Sequence, residues 1–369
     1  MNILLRFALC LFVLLWSVAP VFAQAAPLAY VRFAHLSADA PNVDIYVAGD
    51  VLLADVPFAT ISAYFPLEAG LQQVAFVPAG GDLNDAVIGP LEIEVVAGQD
   101  YLFGAFGLVA DGSFQRLLLN ESALLDEAAP GAAQVLFFNG LSGTPPLDAR
   151  IEGSDQRFAS GLEFSGYEAH TAAPGEYPLV VSLASDSAQI LLQDWNPIVL
   201  RADHLYFLAA LNGAAGEPQA LLHVTGTRTL AELLAAAPDL NTLRTFFEAA
   251  GLGESLGDRA APPLTIFAPN DAAFANAFDA LGLEPEALLV EFPEALLPIL
   301  FYHIVDDFVL AATAAQAGEL PTLQGAALRF TLDDDTLLLN DAVRVVQRDL
   351  LASNGVLHII EAVLIPPAP

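Results

Sequence analysis

The segment VRFAHLSADAPNVDIYVAG, Val31 to Gly49, comes round again as VLFFNGLSGTPPLDARIEG, Val135 to Gly153. Phe33 meets Phe137, Pro41 meets Pro146, Asp44 meets Asp148 and Gly49 meets Gly153; further on, Gly70 and Tyr101 meet Gly175 and Tyr206. A period of about 104 residues is too long for a solenoid unit and suits a complete two-sheet sandwich. Between these landmarks, segments such as VDIYVAG, QQVAFVPAG and LEIEVVAGQ alternate apolar with polar residues and are broken by Gly, Pro, Asp and Asn. Period two turns one face of each segment inward, and turn signals roughly every 8 to 15 residues leave no room for a long helix. Residues 24–126 and 127–224 are therefore expected to form two tandem Ig-like all-β sandwiches, joined near LLDEAAPGAAQ.

After about Thr225 the period changes. In TLAELLAAAPDLNTLRTFFEAAGL, Leu240, Leu243, Phe246, Phe247 and Ala250 fall on one helical face, with Pro238 and Asp239 at its start and Gly251 as a stop. TIFAPNDAAF, Thr265 to Phe274, reads as a buried strand running into a helix capped by Asn270 or Asp271, with Phe274, Phe278 and Leu281 inward. FPEALLPILFYHIV reads as a helix entering a strand. The last forty residues read as strand, turn, strand, strand, Asn-Gly turn and final strand.

These pieces resemble known families. VRFAHLSADAPNVDIYV is similar to the opening motif of DUF4397, a family of exported bacterial proteins with no established chemistry. TIFAPNDAAF, YHIV at Tyr302 to Val305 and SNGVLHIIEAVLIP, in that order, resemble the three signatures of the fasciclin (FAS1) domain. The resemblance implies an α+β fasciclin domain over residues 225–369. It also implies a partner-binding role for the outer surface near Tyr302 and His303, a region implicated in adhesion in that family. The chain departs from the pattern at Asp306-Asp307-Phe308 and at Gln347-Arg348-Asp349.

The first 23 residues, MNILLRFALCLFVLLWSVAPVFA, combine one early charge at Arg6, a short apolar run and Val-Phe-Ala before Gln24, which is the pattern of a cleaved signal peptide. A membrane anchor is the other reading; Pro20 and the shortness of the run argue against it. The sole cysteine, Cys10, lies in that leader, so the exported chain would have neither disulfide nor thiolate. No second apolar run approaches the roughly 20 residues of a spanning helix, so no transmembrane anchor is expected. With 44 Asp and Glu against 12 basic residues, the formal net charge of −32 repels phosphate backbones and argues against nucleic-acid partners. The carboxylates keep an apolar chain dispersed; gathering divalent cations is the sharper alternative.

The six histidines show no i, i+4 pair, and HExxH, GxSxG, Gly-rich phosphate and DxDxDG motifs are missing. No cofactor, metal or catalytic residue is therefore assigned. Asp333-Asp334-Asp335 reads as a hairpin turn sooner than a cation site. His35, near Asp39 and Asp44, reads as sandwich packing, because Asn139 takes its place in the second copy. His303 has two readings, an adhesive contact or a hydrogen-bonded structural residue. The expected function is non-catalytic: a secreted or cell-surface protein for adhesion or matrix attachment, whose partner is a surface or matrix protein or a polysaccharide. The alternative is an extracellular binder of polysaccharide or a small ligand, against which stands the scarcity of tryptophan beyond Trp195.

Overall fold

The computed structural model describes residues 27–126, 131–259, 261–282, 293–333 and 336–367. The leader, the joint that follows residue 126 and the Asp334-Asp335 tip lie outside the described residues.

The first repeat contains β1 (Leu28–Leu36), β2 (Val43–Val47), β3 (Asp50–Val56), β4 (Thr60–Ile61), β5 (Phe65–Glu68), β6 (Gly70–Pro78), β7 (Ile88–Val95), β8 (Asp100–Phe106) and β9 (Gln115–Asn120). One sheet runs β4-β1-β8-β9, with β5 also on β1; the other runs β3-β2-β6-β7. A short helix, α1 (Glu121–Asp126), follows. The second repeat contains β10 (Ala133–Gly140), β11 (Leu147–Ile151), β12 (Arg157–Leu162), β13 (Tyr167–Ala172), β14 (Gly175–Tyr177), β15 (Leu179–Leu183), β16 (Asp186–Leu192), β17 (Ile198–Leu200), β18 (His204–Asn212) and β19 (Pro218–Gly226). Its sheets run β13-β10-β18-β19 and β12-β11-β15-β16, with β14 and β17 paired separately.

Matched residues do matched work. The parallel pair β1/β8 sets Val31 opposite Tyr101, and the parallel pair β10/β18 sets Val135 opposite Tyr206. The Tyr101 hydroxyl accepts the Val96 N–H (3.1 Å) and the Tyr206 hydroxyl accepts the Arg201 N–H (2.8 Å), each five residues upstream. His35 Nδ1 donates to the carbonyl of Val56, the last residue of β3; Asn139 Nδ2 donates to that of Leu162, the last residue of β12. The exchange of His for Asn thus keeps one backbone tie. Asp39 and Asp44 are spent elsewhere, Asp39 on the N–H groups of Val109 and Ala110, Asp44 on those of Asp55 and Gly80.

Each repeat has its own core between its sheets, around Phe33, Phe76 and Phe103 in the first and Phe137, Leu179 and Trp195 in the second. A third core joins the repeats: Leu36, Leu102 and Phe106 pack with Leu136, Phe138 and Phe207. Strands β8, β10 and β18 are consequently buried along their whole length. Their sequences, DYLFGAF, AQVLFFNG and HLYFLAALN, are almost continuously apolar, as strands covered on both faces must be.

The C-terminal region contains α2 (Leu230–Ala236), α3 (Asn241–Ala249), α4 (Gly253–Gly257), β20 (Leu264–Pro269), α5 (Asp271–Leu281), α6 (Pro293–Tyr302), β21 (Ile304–Val305), α7 (Ala311–Ala317), β22 (Glu319–Pro321), β23 (Ala327–Asp333), β24 (Thr336–Leu339), β25 (Val343–Ala352) and β26 (Gly355–Ile360). The sheet order is β21-β20-β26-β25-β24-β23-β22, and β20 and β26 are parallel. Strand β20 is buried on both sides. Ile266 faces the helices with Phe246, Phe247 and Phe274, while Phe267 faces the core of Tyr302, Phe330 and Leu337. The chain then turns into α5 because Asn270 accepts the Ala273 N–H at 2.8 Å.

The Asn-Gly turn differs from its sequence reading. Ser353 and Asn354 form the turn, and Gly355 already begins β26, where a Cβ would overlap the Leu264 carbonyl oxygen. Asn354 is buried; it accepts the Leu230 N–H and donates to the carbonyls of Leu256 and Asp258. Close approach and three side-chain hydrogen bonds, more than turn conformation, select this dipeptide.

The C-terminal region also touches the second repeat. Arg201 Nη1 donates to the Asp349 carbonyl (3.2 Å), and a Cβ at Gly226, the last residue of β19, would overlap the Leu351 carbonyl oxygen.

Candidate functional site

Helix α6 ends at Tyr302, and the chain reverses to enter β21. Both residues of the Tyr-His pair turn inward, at 3% and 1% exposure. The Tyr302 hydroxyl donates to the Ala327 carbonyl (3.3 Å) and accepts from Asn340 Nδ2 (3.1 Å). His303 Nδ1 donates to the Ile299 carbonyl (2.8 Å), and its Nε2 accepts the Leu364 N–H (2.9 Å). The backbone carbonyl of His303 accepts the Phe267 N–H, which ties the Tyr-His turn to β20. Burial lowers the imidazole pKa to about 4 against the partial support of the Ile299 hydrogen bond, so the ring is neutral near pH 7. Of the two readings of His303, the geometry is that of the hydrogen-bonded structural residue: its side chain offers no exposed contact. What reaches solvent around it is its neighbours, Leu323, whose N–H donates to Ile304, and Ile365, beside Leu364, at 42% and 63% exposure.

The segments that depart from the fasciclin pattern have local uses. Asp349 sits at a bulge in β25 with φ of 60°, and its Oδ1 accepts the Ala311 N–H (2.7 Å) at the start of α7. The Asp307 carbonyl accepts the Thr265 hydroxyl, whose oxygen in turn accepts the Val309 N–H. His358 is buried between these, Nε2 donating to the Val309 carbonyl and Nδ1 accepting the Asp349 N–H.

A second polar cluster lies where the three parts of the chain meet. Arg32, buried on β1, makes a two-pronged ion pair with buried Glu121. Tyr64 donates its hydroxyl to Glu121 (2.8 Å), and the guanidinium lies over the Tyr64 ring (5.3 Å). Arg32 Nη1 donates to His223 Nε2 at 2.5 Å; burial and then the Arg32 charge hold the pKa of His223 down to about 3. Nearby, buried Asp100 pairs with Arg259 of the C-terminal region. Burial raises the Asp100 pKa, and Arg259 opposes that rise. A cavity of about 360 Å³ borders the cluster, lined by Arg32, Tyr64, His223, Pro263 and Phe308 among others. Sequence reasoning missed this cluster. Its signal was a charged residue, Arg32, inside the apolar run YVRFAHL.

Among the described residues, no three His, Cys, Asp or Glu side chains are grouped to hold a metal ion. No helix among them is long and apolar enough to cross a membrane.

Comparison with known proteins places these features. The profile of the Fasciclin domain matches residues 238–366, and that of a domain of unknown function, DUF4397, matches 29–150, which runs from the first repeat into β11. Protein sll1483 of Synechocystis sp. is 40% identical over 139 residues, covering 38% of this chain and 74% of that protein. The transforming growth factor-beta-induced protein ig-h3 of Sus scrofa is 30% identical over 169 residues, 46% of this chain but only 23% of that protein. A solved FAS1 domain pair from the insect cell adhesion molecule Fasciclin I aligns with 60% of this chain and 67% of its own length, at 15% identity and a TM-score of 0.35.

Proposed function

The chain belongs to the fasciclin-domain family, and on that premise we propose that it is a secreted or cell-surface protein that attaches to a surface or matrix protein or a polysaccharide, without catalysis. The observation that carries this reading is the fasciclin match over residues 238–366, with 40% identity to a protein of which three quarters is covered. In this reading residues 1–23 are removed on export, residues 24–126 and 127–224 are two β-sandwich domains, and residues 225–369 present the attachment surface.

That surface is the outer face around Tyr302 and His303. The pair acts from inside by fixing two backbone segments, and Leu323 and Ile365 supply the apolar contact. Apolar side chains exposed on a fixed backbone lose little freedom when a partner covers them.

Replacing both Leu323 and Ile365 by Asp in the full chain tests this. Attachment to cells and to matrix-coated surfaces should fall at least tenfold while the melting temperature stays within a degree or two of wild type, since exposed substitutions move stability little. Undiminished attachment by the double variant would refute this surface.

A further inference from the structure

A cleft of about 410 Å³ opens between the second repeat and the C-terminal region, a volume and a position usual for small-molecule sites. Trp195, Leu222 and His204 line it from the second repeat, and Leu310 and Leu351 close it from the other side. Leu222 and Val199 in its wall are 43% and 50% exposed, so apolar surface here is left uncovered by the chain itself. Trp195 is anchored edge-on to Phe137 (6.2 Å, 86°), which gives the cleft a rigid aromatic wall.

One wall group has an unmet hydrogen bond. His204 Nδ1 donates to the Ala202 carbonyl at 2.6 Å, which leaves Nε2 as an acceptor. That Nε2 is buried and has no hydrogen-bond partner among the described residues. A buried acceptor left unpaired is destabilising, and a donor delivered by a ligand would relieve it. Burial also lowers the pKa of this histidine, which keeps Nε2 an acceptor at neutral pH. The charges at the cleft are Asp194, Asp349 and Arg201, and Arg201 already donates to the Asp349 carbonyl. Two carboxylates and one engaged guanidinium, on a chain of net charge −32, disfavour an anion.

We propose that this cleft binds a small, neutral, ring-bearing molecule that carries a hydroxyl, the ring against Trp195 and Leu222 and the hydroxyl donated to His204 Nε2. Both walls contribute, so occupancy clamps the C-terminal region to the second repeat.

The chain from Gln24 onward retains every described residue and has Trp195 as its sole tryptophan, so its emission reports occupancy. The experiment titrates this chain with 4-propylphenol, propylbenzene and 4-propylbenzoate at pH 7, exciting at the red edge of tryptophan absorption. A saturable change with the phenol is expected, with propylbenzene and the benzoate each at least tenfold weaker, although propylbenzene is the most apolar of the three. Leu222→Arg, an exposed substitution that fills the cleft, should abolish saturation without changing the melting temperature. His204→Phe should erase the preference for phenol over propylbenzene. A linear, unsaturable change with the phenol would overturn the proposal, as would equal binding of phenol and propylbenzene, or wild-type binding by Leu222→Arg. If His204→Phe does not fold, the ligand series and Leu222→Arg still decide the matter.

Discussion

His303 carries its proton on Nδ1 and its lone pair on Nε2, and both are engaged by backbone, at Ile299 and at Leu364. Protonating Nε2 would set a second donor against the Leu364 N–H, in a place that water does not reach. The folded pKa near 4 lies below the ordinary 6.5, so the unfolded chain takes up the proton first as the pH falls. The stabilisation from this neutral histidine is therefore complete above pH 6.5 and is lost progressively toward pH 4, by roughly 3 kcal/mol in all. His303→Gln should melt lower than wild type at pH 7, and the gap between the two should narrow as the pH is lowered to 4.5. His223, with its pKa held near 3, adds acid sensitivity to both proteins alike, so their difference isolates residue 303. Melting curves that stay parallel across this range would show that His303 is not the titrating group. The position of the Tyr-His pair was legible in the sequence, but its burial was not. The groups that bury it include Leu364 and Asn340, tens of residues away, and no local pattern announces them.

At the scale of elements, the helices and hairpins near the C-terminus could be read because their causes are local. Leu243, Phe246 and Phe247 recur at helical spacing, and Asn270 caps the helix that follows it. Thr229 and Glu232 form a reciprocal capping box at the start of α2, which followed the same kind of rule. Asn354 could be read only as a turn residue, because its partners at Leu230, Leu256 and Asp258 lie about a hundred positions upstream. It fastens α2 and α4 to the end of β25, and its carboxamide donates to two carbonyls. Asn354→Asp is close to isosteric but has no donor, and it would set a buried charge against both carbonyls. A loss of about 3 kcal/mol or more is expected, together with faster amide exchange in α2 and α4 than in the strands of the two repeats. Unchanged protection of both helices would show that they are held by packing alone.

The sequence predicts two tandem sandwiches joined near LLDEAAPGAAQ, and the third core, to which both repeats contribute, changes what that arrangement implies. Phe106 of the first repeat meets Phe138 of the second edge-on at 4.8 Å, within a cluster to which both contribute. The sequence did carry a sign of this, since strands covered by one sheet and open to water on the other side should alternate, and DYLFGAF and HLYFLAALN do not. If the shared core couples the repeats, damage to one must be felt in the other. Phe106→Ala removes a ring that is 1% exposed and should cost roughly 3 to 5 kcal/mol. Trp195 lies in the second repeat's own core, outside the shared cluster, and so reports on the second repeat and not on the first. Its thermal transition should therefore move to lower temperature in Phe106→Ala, in step with the loss of strand signal measured by circular dichroism. Independent spacers would leave the tryptophan transition where it is in wild type while part of the strand signal melts earlier. Coincidence of the two probes makes the repeats one cooperative body, where independent domains would melt in separate steps.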